Sequence, residues 1–167
     1  QAEIIFKCGV EKVIINSAIL NNKKIITEFV KIFGSQSIIG SIDYKKNIFG
    51  KNFCFNHVSN SSTKIDLKKV ILETIDQGVG EIMITSVDHE GLMKGYDIKT
   101  TTEIINYVKI PMIIAGGAGS MGDFKMINNI GVKGVAAGSF FVYYGKEKGI
   151  LINYPNENEI ENIFSES

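Results

Sequence analysis

Three segments of this chain follow one pattern: GVEKVIINSAI (9–19), GVGEIMITSVD (78–88) and GVKGVAAGSFF (131–141). In each, a Gly-Val pair is followed by three positions ending in Val or Ile, then by three more residues and a serine: Ser17, Ser86 or Ser139. Internal similarity of this kind constrains a fold more than composition does, because each copy must be the same supersecondary unit. A glycine just after a helical pattern marks the left-handed position that ends a helix. Gly9, Gly78 and Gly131 are therefore expected to stop helices, and VIIN, EIMITS and GVAAGS to be the strands that follow.

Two further apolar runs lack the Gly-Val lead, SIIGSID (37–43) and PMIIAGG (111–117). Short apolar runs without alternation suit parallel strands buried on both faces. Helical spacing separates the strands at NKKIITEFVKIFG (22–34), KKVILETIDQG (68–78), TTTEIINYVK (100–109) and SMGDFKMINNIG (120–131). After the second strand lies an excursion over 47–62, in which NIFGKNFCFNHV (47–58) reads as a small hairpin and SNSSTK as a polar loop. Strands that alternate with helices predict an α/β protein with a parallel sheet. A (β/α)8 barrel of ~250 residues gives each unit about 30 residues, so five units make well over half of one.

Length and composition fit this reading. The chain has 167 residues, 44% of them hydrophobic, and no net charge, which is read as one domain spanning 1–167 with a C-terminal tail and helix at 146–167. Zero net charge gives no footprint for nucleic acid or an anionic membrane. No apolar run approaches the ~18 residues of a membrane span, and no signal-peptide pattern opens the chain, so the cytoplasm is the expected compartment. Cys8 and Cys54 are expected to be small buried hydrophobes rather than a disulfide or metal pair. The two histidines, His57 and His89, lie too far apart in pattern for a metal site and are read as surface residues, with His89 a weaker candidate for substrate contact. No cofactor is called for.

All 18 basic residues are lysines. Any phosphate must then be held by backbone N–H groups, hydroxyls or Lys as a point charge, not by a guanidinium fork. In barrels of this kind the chemistry sits at the C-terminal strand ends, with a phosphate site commonly formed after the last two strands. Those strands end in IIAGGAGS and VAAGSFF. Gly116, Gly117 and Gly119 would let a phosphate approach the backbone, Ser120 can cap the next helix, and Gly138-Ser139 repeats the arrangement one strand later. The same glycines could instead serve only to make tight turns. Asn16-Ser17 is the first copy's equivalent of Gly138-Ser139, so a second phosphate is expected there, from a ligand with phosphates at both ends. Asp43, a lone acid ending an apolar strand, is the candidate general acid or base; capping the following turn is the other role open to it. The segment HEGLMKGYD, beyond Thr85, Ser86 and Asp88, has the composition of a lid. At the opposite strand ends, Lys12 and Glu81 suit a solvated rim or ion pair serving stability, or a charged ring around an opening.

Taken together, EKVIINSAIL, FGSQSIIGSIDYKK, GVGEIMITSVDHEGLMKGYD, IPMIIAGGAGSMGDF and GVKGVAAGSFF resemble the cyclase subunit of imidazole glycerol phosphate synthase, the HisF family. The resemblance runs from about residue 1 to 145 and implies a (β/α)8 TIM barrel of the ribulose-phosphate-binding type, of which this chain carries the C-terminal five βα units, strands 4–8. It implies a cyclase or lyase acting on a phosphorylated substrate with ammonia from a HisH-like glutamine amidotransferase partner. By position, Asp43 matches the catalytic aspartate and Thr85 an active-site residue. Asn16, Ser17, Gly91, Gly116, Gly117, Gly138 and Ser139 match phosphate-binding positions. Lys12 and Glu81 match the charged gate at the ammonia entrance. The family's other catalytic aspartate lies on a first strand that this chain does not contain. Histidine-pathway cyclases carry RDGTKSGYD where HEGLMKGYD stands here, and the tail FVYYGKEKGILINYP also differs, which leans toward the paralogues that support amidation of a surface-polysaccharide sugar. A non-catalytic ammonia conduit is the alternative. QAEIIFKCG reads as a helix already under way, and five strands alone leave bare edges. The expectation is that further strands lie upstream of Gln1 or that two copies join.

Overall fold

A computed structural model describes residues 1–22, 24–145 and 147–164. Lys23, within the 22–34 helical pattern, and Lys146 and residues 165–167 of the expected tail lie outside the described residues. The chain divides into two compact units, Gln1–Ile84 and Thr85–Ser167. The architecture is α/β with mostly parallel pairing in the main sheet.

In the first unit, α1 (Ala2–Lys7) leads to β1 (Val13–Ile15), followed by α2 (Ala18–Asn21) and α3 (Ile25–Phe33). Next come β2 (Ile38–Lys46), β3 (Asn52–Asn56), β4 (Ser61–Asp66) and α4 (Leu67–Asp76), and β5 (Glu81–Ser86) then begins beside β2. Each Gly-Val lead does what the repeat predicts: Gly9, Gly78 and Gly131 have φ of 85°, 96° and 96°, the left-handed region where a side chain is strained. The resulting stops set where each strand begins.

β2 organises the unit. Its first half pairs in parallel with β1, Ile15 against Gly40, and its last three residues pair antiparallel with β3, Tyr44 against Cys54. One face of β2 packs on helices. Gly40 lies on that face, where a Cβ would fall 2.6 Å from the Thr74 Cγ2 of α4. Ile38 and Ile42 are buried there as well. The excursion departs from expectation in one respect. SNSSTK was expected as a loop, but Ser61–Asp66 forms β4, paired with β3 through Phe55–Ser62 and Asn56–Ser61. Its hydroxyls favour a turn, yet the neighbouring strand supplies ladder partners, and Thr63 Oγ1 donates to the Cys54 carbonyl. Tertiary pairing overrides the local preference. Asp66 then caps α4, accepting from the Lys69 N–H.

The second unit continues with α5 (Ile98–Ile105), β6 (Met112–Ala115), α6 (Met121–Asn128), β7 (Gly134–Ala136) and α7 (Ser139–Val142). β6 and β7 run parallel, Ile114 against Val135. A two-residue ladder, β8 (Tyr143–Tyr144) with β9 (Gly149–Ile150), and α8 (Glu157–Phe164) complete it. Phe124 of α6 packs against Tyr96, Phe140 and Phe141, and Phe141 stacks on Tyr154, so aromatic contacts anchor the segment after β7. Asn128 donates to the Ile163 carbonyl, tying α8 to α6. No helix among the described residues is long and apolar enough to cross a membrane.

Cys54 is buried as expected, whereas Cys8, expected to be buried too, is exposed as the C-cap of α1. Burial, with Asp66 and Asp43 adding repulsion, pushes the Cys54 thiol up from 9.0 to about 12. Its folded value lies above its unfolded one, so this contribution is full below pH 9.0 and is lost as pH rises toward about 12. The urea midpoint of the wild type should therefore fall more steeply above pH 9 than that of Cys54→Ala; parallel pH curves would contradict this. A second prediction follows from Gly80, where a Cβ would meet the Ser35 carbonyl oxygen at 2.4 Å. Gly80→Ala should destabilise the fold by about 1–3 kcal/mol in urea titration, the range for overpacking.

Candidate functional site

Register alone gathers one cluster in the first unit. Extending the β1–β2 pairing by one residue sets Asn16 opposite Ser41, and Asp43 lies two residues further along the same face of β2. The antiparallel β2–β3 register sets Phe55 opposite Asp43, and His57 is two residues beyond Phe55 on that face. This face is opposite to the one that Gly40 turns toward α4. The side chains meet accordingly. Asn16 Nδ2 donates to Asp43 Oδ2 at 2.8 Å and lies 3.2 Å from Ser41 Oγ, while Ser17 Oγ donates to Asn16 Oδ1 at 3.0 Å. His57 Nε2 lies 3.0 Å from the same Asp43 Oδ2. Asp43 is 7% exposed, and a small pocket lined by Asn16, Ser17, Asp43 and Phe55 opens beside it.

A buried carboxylate with hydrogen-bond donors gathered on one of its oxygens has the chemistry of a positioned general acid or base. Both Asn16 and Ser17 are engaged here by side-chain hydrogen bonds. An anion at Asn16-Ser17 would accordingly have to draw on backbone N–H groups at the start of α2 or displace Ser17 Oγ from Asn16.

His57, read from the sequence as a surface residue, is the member of this cluster that was missed. Its ring is half exposed, so that reading was right about solvent but not about partners. The signal was available in the alternation of NFCFNH: pairing that strand back onto SIDYKK places residues 43, 55 and 57 on one face.

The second unit gathers the glycines. Gly116 and Gly117 follow β6 with φ of 88° and 119°. A Cβ on Gly116 would meet the Ser86 carbonyl oxygen at 2.6 Å, and one on Gly117 would meet the Gly95 carbonyl oxygen at 2.2 Å. These glycines therefore let two loops touch, and Gly95 N–H donates to the Gly117 carbonyl at 2.8 Å. The segment expected as a lid is tied at both ends, by that bond and by the 2.8 Å contact between Ser86 Oγ and His89 Nδ1. Gly91, with φ of 73°, brings its Cα to Ser139, whose Oγ would lie 3.9 Å from a Cβ there. A Cβ on Gly138 would meet nothing within 4 Å, so space is open before α7.

Ser120 caps α6 as expected, in a capping box with Asp123. The Asp123 carboxylate accepts from the Gly119 and Ser120 N–H groups and from Ser120 Oγ, all through Oδ2. Those amides already hold an anion of the chain's own. The loop amides that remain for an external anion are those nearer Gly117 and Gly138-Ser139.

Thr85 is buried at the end of β5. At the other ends of the strands, Lys12 Nζ pairs with Glu81 across the starts of β1 and β5, with both side chains partly exposed. Among the described residues no group of three His, Cys, Asp or Glu side chains could hold a metal ion.

Comparison with known proteins places these features in context. A protein of Leptospira interrogans named "Putative imidazole glycerol phosphate synthase subunit HisF" is 39% identical over 166 residues, which cover 98% of this chain and 65% of that protein. One of Pseudomonas aeruginosa named "Putative imidazole glycerol phosphate synthase subunit hisF2" is 41% identical, covering 96% of this chain and 64% of its own length. The imidazole glycerol phosphate synthase subunit HisF of Petrotoga mobilis is 38% identical over 140 residues, 83% of this chain and 56% of that protein. The chain thus spans less than two thirds of the length of these relatives. The family described as Histidine biosynthesis protein matches residues 1–148, and with most of its length inside that match the chain belongs to this family.

Proposed function

We propose that this chain is part of a HisF-type synthase subunit, a cyclase or lyase of the (β/α)8 class. In this reading it uses ammonia from a HisH-like glutamine amidotransferase on a phosphorylated substrate, in the cytoplasm. The observation that carries the proposal is Asp43: a buried carboxylate at the C-terminal part of a strand, held through one oxygen by Asn16 and His57. Such a group can take a proton from an attacking amine or return one to a leaving group. Thr85 is assigned to the same chemistry on its matching position alone.

Phosphate is assigned to two places, each within one unit. In the second unit the open ground around Gly138-Ser139, the left-handed glycines 116 and 117 and the nearby Gly91 present backbone to an anion. In the first unit the equivalent position is Asn16-Ser17. Neither calls for arginine, which the chain does not contain. Lys12 and Glu81 are assigned to an ammonia gate at the opposite strand ends. The Lys12–Glu81 pair suits a gate that is closed by an ion pair, and it equally suits a stabilising rim.

The reaction itself leans toward amidation of a surface-polysaccharide sugar rather than the histidine-pathway cyclisation. Support comes from HEGLMKGYD, in which Glu90 and Leu92 replace an aspartate and a threonine of the histidine-pathway loop, and from the tail FVYYGKEKGILINYP. A barrel that only conducts ammonia would not need a buried carboxylate pinned at a strand end, and the retained Asp43 weighs against it.

The decisive measurement is ammonium-dependent turnover of the full-length protein. Asp43→Asn should lower it by at least about a hundredfold, the low end of general acid–base contributions, with ligand affinity little changed. Unchanged turnover would make Asp43 a structural residue. For the phosphate assignment, crystals soaked in sulfate or phosphate should show an anion within hydrogen-bond reach of both the Gly116-Gly117 and the Gly138-Ser139 loops. Density found only elsewhere would remove the assignment.

A further inference from the structure

His57 is the member of the Asp43 cluster that these assignments leave without a role. It stands on the turn between β3 and β4, outside the alternation of strand and helix that supplies every other candidate. Its Nε2 lies 3.0 Å from Asp43 Oδ2, and Asn16 Nδ2 lies 2.8 Å from that same oxygen. Both nitrogens converge on Oδ2. Among the described residues, no protein group is hydrogen-bonded to Oδ1. A carboxylate anchored through one oxygen keeps the other at a fixed position and direction, which is what a proton-transfer group requires.

We propose that His57 is a positioning residue for Asp43: it donates from Nε2 to Oδ2, shares the hold with Asn16, and leaves Oδ1 to exchange the proton with substrate. The proposal rests on the acid–base role assigned to Asp43 above. No proton leaves His57 in the step. The proton moves only between substrate and Oδ1.

Local structure supports this assignment. Phe55, two residues back on the same strand, meets the His57 ring edge-to-face at 5.0 Å between centroids, which restricts the imidazole to the side of the strand facing Asp43. The hairpin that carries His57 is fastened to β2 by three register pairs, Tyr44–Cys54, Lys45–Phe53 and Lys46–Asn52. The other ionisable groups near this end of the sheet are spoken for. Cys54 stays a neutral thiol until about pH 12, and the Asp66 carboxylate caps α4 at the Lys69 N–H. Asp43 is the acid that faces the ring. The half-exposed side chain also places His57 at the rim, where bound substrate would bury it and strengthen its hydrogen bond.

Two substitutions separate this role from mere packing. His57→Ala removes the donor, and His57→Gln returns an amide N–H at about the same reach without an imidazole. In the full-length protein with ammonium as nitrogen source, His57→Ala should lower kcat about tenfold or more, the order of one hydrogen bond to a charged group, with KM and thermal midpoint little changed. His57→Gln should recover most of the loss. A loss in KM alone, a fall in thermal midpoint that accounts for the lost rate, or turnover of His57→Ala within about twofold of wild type would overturn the proposal. Failure of the underlying reading looks different, since then Asp43→Asn would itself leave turnover unchanged. If Asp43→Asn is inactive while His57→Ala is not, the acid–base role stands and the positioning role falls.

Discussion

The strand Ile38–Lys46 is the element on which the first unit depends, because it is paired differently along its length. Its beginning is a parallel partner of β1, and its end an antiparallel partner of β3. Side chains alternate across a strand, so fixing both registers fixes which residues share a face. Ile38, Gly40 and Ile42 go to the helices, and Ser41 and Asp43 to the other side. A slip of one residue would turn Asp43 into the helix-packed core, with no donor awaiting it, and bring Ile42 to the pocket. Gly40 guards against such a slip, since α4 approaches so closely that the Thr74 methyl leaves no room for a Cβ.

Much of this was legible before any coordinates. The Gly-Val repeat marked three helix stops, and all three glycines are left-handed. The five main strands and the helices between them follow the apolar runs, because those runs reflect burial on both faces, which is a local property of sequence. β4 and His57 were not legible for one shared reason. SNSSTK has no strand pattern of its own, and it is extended because β3 offers it partners. His57 has no motif around it, and it reaches Asp43 because the hairpin folds back on β2. Each depends on a pairing between segments, which propensity and spacing along a single segment do not encode.

The glycines after β6 show a different limit. Read from sequence, they could admit a phosphate or merely make a turn, and the structure gives them a third use. Gly117 and Gly119 allow the loop to lie against the carbonyls of Gly95 and Met93, closer than any side chain would permit. This contact is what positions the segment containing Gly91. Loop packing and anion binding are not rivals here. A nest of amides is useful only if its curvature is held, so the contact with the neighbouring loop is compatible with the proposed anion site.

Without arginine, the chain must find fixed positive potential elsewhere, and its own use of Asp123 shows how. That carboxylate gathers two consecutive backbone N–H groups and the Ser120 hydroxyl on a single oxygen. The carboxylate thereby sits at the positive end of α6, while Ser120 Oγ accepts from the Asp123 N–H in the first turn. The same logic operates around Asp43 with side-chain donors, since Asn16 and His57 converge on one oxygen. In both places neighbouring groups gather on a single carboxylate oxygen. For Asp123 the consequence is rigidity. For Asp43 it is orientation, since Asn16 Nδ2 donates to one oxygen at 2.8 Å and His57 Nε2 stands 3.0 Å from the same oxygen.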